Sequence, residues 1–107
     1  MSAYVVVDVA IDNREKYQQY VQQITPTVAA CGGRYLACDA DIQVLSGDWQ
    51  PNRLVMMEFP DKATAEHWAT CREYAPIHAL RNRYAKANMV IIDGQVDINV
   101  TSTQEAE

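Results

Sequence analysis

Tyr4-Val-Val-Val-Asp-Val9 and Leu54-Val-Met-Met-Glu-Phe59 decide the fold of this chain. Each is a short apolar run rich in β-branched or long apolar side chains and bounded by polar or turn residues, the pattern of a strand. Each opens the same series. After the first run, Asn13 to Cys31 reads as a helix and Arg34 to Cys38 as a strand. After the second, Ala63 to about Lys86 reads as helical and Met89 to Ile92 as a closing strand. The order is βαββαβ.

Local signals place the boundaries. Asp12-Asn13 offers an N-cap, with Glu15 in the first turn. Tyr17, Val21, Ile24 and Val28 form one apolar stripe, while Gln18, Gln19, Gln22 and Gln23 face water. Pro26 predicts a kink or a break near Ile24-Thr25, and Gly32-Gly33 ends the helix. Ile42 to Leu45 reads as a short strand extension, followed by a loop from Ser46 to Asn52 that carries Trp49. Asp61 is the expected N-cap of the second helix. Pro76 stands where it would open a further helix carrying Ile77, Leu80, Tyr84 and Ala87.

Six elements in this order predict an α+β, ferredoxin-like fold: a four-stranded antiparallel sheet of order 4-1-3-2 with helices on one face. The crossovers are expected to be right-handed. Residues 1–94 form the predicted domain. In the tail, 95–107, Val96 to Val100 alternates as an edge strand would, and the last residues read as disordered. The first strand is apolar on both faces, so the sheet face away from the helices also calls for cover. A second copy packed face to face, as a two-fold homodimer, provides it.

The ordered set Ala3 to Asp8, Cys31-Gly-Gly-Arg-Tyr35, Gly47 to Arg53, Val55 to Pro60, Ala65, Trp68, Glu73-Tyr74, Leu80-Arg81 and Gly94 resembles a small bacterial family known as domain of unknown function thirteen-thirty. The resemblance runs from about Ala3 to Gly94. It implies a dimeric α+β barrel, a superfamily that also holds cofactor-free monooxygenases, muconolactone isomerases and haem-dependent chlorite dismutases. It implies no single reaction, because one fold hosts many.

Composition excludes several classes. The chain has 107 residues, enough for one domain, and a net charge of −5 that repels phosphate backbones and anionic membranes. No apolar run approaches a membrane span, and the start enters a strand without a basic leader, so a cytoplasmic protein without a signal peptide is expected. Cys31, Cys38 and Cys71 lack paired spacing and read as reduced, buried, small hydrophobes. His67 and His78 stand too far apart in sequence for a helical ligand pair, and no phosphate-binding glycine motif occurs. No cofactor or metal is expected.

Candidate chemistry rests on four residues. Asp8 and Glu58 are carboxylates in apolar central strands, where burial would raise their pKa values. Antiparallel order sets them about 10 Å apart at strand rise, too far to share a proton. Arg53 and Arg34 are the expected structural partners of Asp8 and Glu58. His78 and Arg81, with Tyr74 one turn before, suit proton transfer to an anionic, enol-like substrate; the structural alternative is a surface or rim histidine. Tyr20, Trp49, Arg53, Trp68 and Tyr74 are the expected pocket-lining residues. Tyr17 and Tyr35 are further aromatic candidates, with Tyr17 assigned to packing. The functional expectation is a homodimer that binds a small planar organic molecule and carries out proton-transfer or cofactor-free oxidation chemistry. The alternative is a non-enzymatic ligand-sensing or protein-association module.

Overall fold

A computed structural model describes residues 1–38 and 41–94. The elements are β1 (Ala3–Ile11), α1 (Arg14–Ala30), β2 (Arg34–Cys38), β3 (Leu54–Phe59), α2 (Lys62–Thr70), α3 (Ala75–Tyr84) and β4 (Ala85–Asp93). The strands form one antiparallel sheet of order β2-β3-β1-β4, which is the expected ferredoxin-like order read from the other edge. Residues 95–107, including the alternating stretch Val96 to Val100, lie outside the described residues.

The pleat sorts β1 into two faces. Ala3, Val5, Val7 and Val9 are buried beneath the helices, while Tyr4, Val6 and Asp8 are half-buried on the opposite face. Val55, Met57 and Phe59 continue the buried face on β3. Over this floor lie Tyr17, Tyr20, Ile24 and Val28 of α1 and Ala65 and Trp68 of α2. Phe59 and Trp68 stack with ring centroids 5.3 Å apart. Truncating either to alanine would cost about 3–5 kcal/mol, the usual range for a buried aromatic.

The caps follow the sequence. Asn13 accepts from the Lys16 N–H through Oδ1 at 3.0 Å, and Asp61 from the Thr64 N–H at 2.7 Å. At the end of α1 the Gly32 N–H donates to the Ala29 carbonyl and the Gly33 N–H to the Val28 carbonyl. With Gly32 at φ 75°, this is the left-handed termination that glycine adopts without strain. Gly33 is needed for space instead: a Cβ there would stand 2.6 Å from Cε1 of Phe59.

Four local expectations are corrected. α1 runs through Pro26 without a break; the proline is exposed, so the carbonyl that loses its helical donor faces water. Ile42 to Leu45 is exposed and outside any strand. The last helix ends at Tyr84, and Ala87, expected on its stripe, pairs with Val9 in β4. The Asp12 and Asn13 N–H groups both donate to the Tyr84 carbonyl and fix that corner. The cysteines are free, but none is buried: Cys31 and Cys71 are half-exposed and Cys38 is exposed.

Candidate functional site

A cavity of about 330 Å³ opens between α1 and the sheet. Its floor is Val7, Val9, Val55 and Met57; its walls include Tyr17, Tyr20, Ile24, Thr25, Tyr35 and Trp68; Arg53, Arg81 and Cys38 supply further polar atoms. Small-molecule sites have this character, apolar surface with a few placed polar groups, and this volume lies near their lower end.

The alternation of β1 explains which candidates reach it. Asp8 sits opposite Leu54 and Asn88, and Glu58 opposite Tyr4, so both carboxylates project from the sheet face away from the helices. Four register steps separate them, about 13 Å at strand rise. Glu58 accepts from Arg34 Nε at 2.8 Å, as expected, and that contact is the first cause holding its carboxyl below the usual range. Asp8 accepts from the Trp49 indole at 3.1 Å and from the Asn52 N–H at 3.0 Å. Trp49 therefore ties the β2–β3 loop to β1. It is 61% exposed and does not line the cavity.

Of the expected pocket residues, Tyr20, Arg53 and Trp68 line the cavity and Trp49 and Tyr74 do not; of the catalytic candidates, Arg81 lines it and Asp8, Glu58 and His78 do not. His78 is not a rim residue either. It is buried, packed edge-on to Trp68 with centroids 4.9 Å apart. Burial is the main cause pulling its pKa down, with the Arg81 charge adding to it and the Trp68 carbonyl opposing. His67, by contrast, is exposed.

His78 belongs to a polar chain that joins the three helices. Thr27 Oγ1 donates to the Ile24 carbonyl at 2.6 Å and accepts the Trp68 indole N–H at 2.9 Å. The Trp68 carbonyl lies 3.1 Å from His78 Nε2, and His78 Nδ1 lies 3.1 Å from Arg81 Nη1. Because a carbonyl only accepts and a guanidinium only donates, Nε2 carries the proton and Nδ1 accepts. Arg81 in turn stands 5.9 Å from the centre of the Tyr20 ring. Thr27 was detectable as a member of the α1 stripe, three residues after Ile24; its partner Trp68 is distant in sequence and was not.

Burial raises the pKa values of the phenols in the cavity wall. Burial first, and the neighbouring Tyr20 second, push Tyr17 up to about 12, against an opposing effect of Arg53. Its ring lies 5.3 Å from that of Tyr20 and beneath the Arg53 guanidinium at 5.5 Å. Burial also raises Tyr20, opposed by Arg81, and Tyr35, opposed by Thr25. The cavity thus holds phenol donors and guanidinium groups. Among the described residues no carboxylate or imidazole lines it, and no cluster of His, Cys, Asp and Glu is placed to hold a metal ion. No helix among them is long and apolar enough to cross a membrane.

The fold and cavity define a ferredoxin-like α+β protein with an internal small-molecule-sized pocket. The chain belongs to the family described as Domain of unknown function (DUF1330), whose model matches residues 2–95. No curated protein matches it. Among solved structures it is similar to the RPA0582 protein of unknown function from Rhodopseudomonas palustris, with 13% identity, 90% of this chain and 84% of that one covered, and a TM-score of 0.68. It is also similar to SnoaB, a cofactor-independent oxygenase from Streptomyces nogalater, with 8% identity, 90% and 95% coverage and a TM-score of 0.61. A Bacteroides thetaiotaomicron protein described as a possible oxidoreductase aligns at 10% identity, 86% and 96% coverage and a TM-score of 0.52. Likeness at these identities shows the fold alone.

Proposed function

We propose that this protein is a homodimer that binds a small planar organic molecule in the helix–sheet cavity and promotes proton-transfer or cofactor-free oxidation chemistry on it. The observation that carries the reading is the cavity of about 330 Å³, walled by aromatic rings and faced by phenol and guanidinium donors. A flat ring slides between Tyr17, Tyr20 and Trp68 on one side and the valines of the sheet on the other. Protonated phenols donate hydrogen bonds to a substrate oxygen. In proton transfer, one proton leaves the substrate to water and another returns at a second atom. In oxidation, dioxygen is the oxidant: a ring CH₂ becomes C=O, one oxygen atom enters the product and the other leaves as water with the two hydrogens. SnoaB, described as a cofactor-independent oxygenase, has the same fold, which favours the oxidative branch by analogy. A cytoplasmic location and a single domain over 1–94 accord with this reading.

The dimer interface in this proposal is the outer sheet face. Val90 is 54% and Ile92 52% exposed there on β4, and Met56 of β3 shares the face across β1. A second copy would also cover Tyr4 and Val6.

A second reading, a non-enzymatic ligand-sensing or association module, draws on Asp8 and Glu58 being engaged in contacts on the far side of the sheet. Binding without turnover would favour it.

The test is a thermal-shift screen of planar acids, phenols and lactones against the wild type and Val21→Trp, a substitution at a wall residue of α1 that fills the cavity. A ligand at one hundred times its Kd adds about 2.7 kcal/mol to the stability of the form it binds. Compounds that raise the wild-type midpoint and leave Val21→Trp unmoved support the site. Oxygen uptake with those compounds then separates enzyme from sensor. A screen in which the filled variant responds as the wild type does would sink the reading.

A further inference from the structure

We infer that the ligand of the cavity is an anion, a planar molecule carrying a carboxylate, enolate or phenolate oxygen, and that Arg81 is its counter-ion. The inference rests on the small-molecule reading of the cavity and specifies the charge of what enters it.

Arg81 is only 9% exposed, yet it lines the cavity. A buried charge is expensive unless an opposite charge meets it. None of its partners among the described residues supplies one. Nη1 donates to His78 Nδ1 at 3.1 Å and Nε to Asn82 Oδ1 at 3.3 Å, both uncharged acceptors. The Tyr20 ring presents a π face to it. Glu58 and Glu66 pair with other cations, Arg34 and Lys62.

The guanidinium is also held for use. His78 is fixed by Trp68 in the tautomer that leaves Nδ1 as an acceptor, so one edge of Arg81 is clamped by a neutral group. A histidine in this place orients the arginine without cancelling its charge, where a carboxylate would do both. A guanidinium pre-set by neutral acceptors at an apolar wall matches an incoming oxyanion, which gains a charge-assisted hydrogen bond as the charge loses its water. His78 is thus a positioning residue for Arg81.

The test uses 4-nitrophenol, whose phenolate absorbs visible light and whose phenol does not. The dye is titrated with pH, free and bound to the wild type. The expected result is at least a tenfold enrichment of phenolate in the bound dye over the free dye at equal pH. The enrichment should vanish in Arg81→Met and persist in Arg81→Lys, which keeps the charge. An apolar cavity without a working cation would do the opposite and enrich the neutral phenol. Bound dye enriched in phenol, or equal enrichment in wild type and Arg81→Met, overturns the inference while leaving small-molecule binding intact. Failure of either form to bind overturns it too, and takes the cavity reading with it if the thermal-shift screen is also blank.

Discussion

His78 accepts a hydrogen bond from Arg81 at Nδ1 while its Nε2 donates to the Trp68 carbonyl, so the imidazole is held neutral between two helices. The folded state favours the uncharged ring, and burial is the leading cause. Its pKa when folded therefore lies below that of the unfolded chain, about 6.5. Below that pH the unfolded chain takes up a proton that the folded one resists, and protonated Nδ1 would face a guanidinium donor to donor. Stability should be full above about pH 6.5 and decline as the pH falls. Denaturant melts across this range should show the decline in the wild type and a flatter profile in His78→Asn. That variant should lose about 1–2 kcal/mol at pH 8, because an amide keeps both contacts less well.

Thr27 makes a second test of the same chain. Its hydroxyl gives a proton to Ile24 and receives one from the Trp68 indole, all in the buried layer between α1 and α2. Thr27→Val keeps the shape and strands the indole N–H. The expected loss is about 1–3 kcal/mol by urea denaturation, the cost of a buried unsatisfied donor. Thr70→Val, on the exposed side of α2, removes a bond to the Glu66 carbonyl and should change stability by less than about 0.5 kcal/mol. Equal losses in the two variants would show that the buried chain carries no special weight.

Most of the fold was legible in the sequence because it is written in short-range signals: β-branched strands, Asn13 and Asp61 as caps, and paired glycines after α1. The start of β4 was not. Ala85, Lys86 and Ala87 carry no strand preference and continue a helical spacing; pairing with Ile11, Ala10 and Val9 makes them strand. The site was half legible. Arg81, Tyr20, Trp68 and Arg53 lie in the cavity wall, but the carboxylates that looked catalytic point the other way. A one-residue change in strand parity decides the face, and sequence does not fix parity when both faces of β1 are apolar. His78 was misplaced for a related reason. A histidine three residues before an arginine reads alike on a rim and in a core, and only the position of Trp68 makes it buried.

Gly33 should be intolerant of any side chain. Its missing Cβ would stand 2.6 Å from the Phe59 ring, which is only 1% exposed and packed on Trp68. The ring has no free direction in which to retreat. Gly33→Ala should therefore cost about 1–3 kcal/mol, the range for overpacking, read as a lower midpoint in urea. Gly47→Ala, where a Cβ would meet nothing, separates overpacking from backbone strain at φ 87°.

The outer sheet face gives a prediction about assembly. Val90 and Val6 are direct neighbours across β4 and β1, and Ile92 lies beside Tyr4. A lysine on that face would bury charge in the proposed interface and leave the helix-side core untouched. Val90→Lys should shift the protein from dimer to monomer in sedimentation velocity with unchanged far-UV circular dichroism. A wild type that sediments as a monomer at all concentrations would refute the dimer.

Tyr17 should set an alkaline limit on stability. Its phenol is pushed up to about 12, first by burial and then by Tyr20. In the unfolded chain it ionises near the ordinary value of about 10. The stabilising difference is present below about pH 10 and is lost as the pH rises toward 12, because the unfolded chain then gives up a proton that the folded one keeps. Absorbance titration should find a tyrosine that ionises late and is missing in Tyr17→Phe. Denaturant melts should fall less steeply with pH in that variant than in the wild type. Tyr35→Phe should also remove a late-ionising phenol, since Tyr35 is raised by burial against the effect of Thr25. A ligand that fills the cavity should delay both ionisations further, because it takes water from the same wall. An anion against Arg81 adds its charge to that delay, so a carboxylate should raise the two phenols more than its neutral amide does.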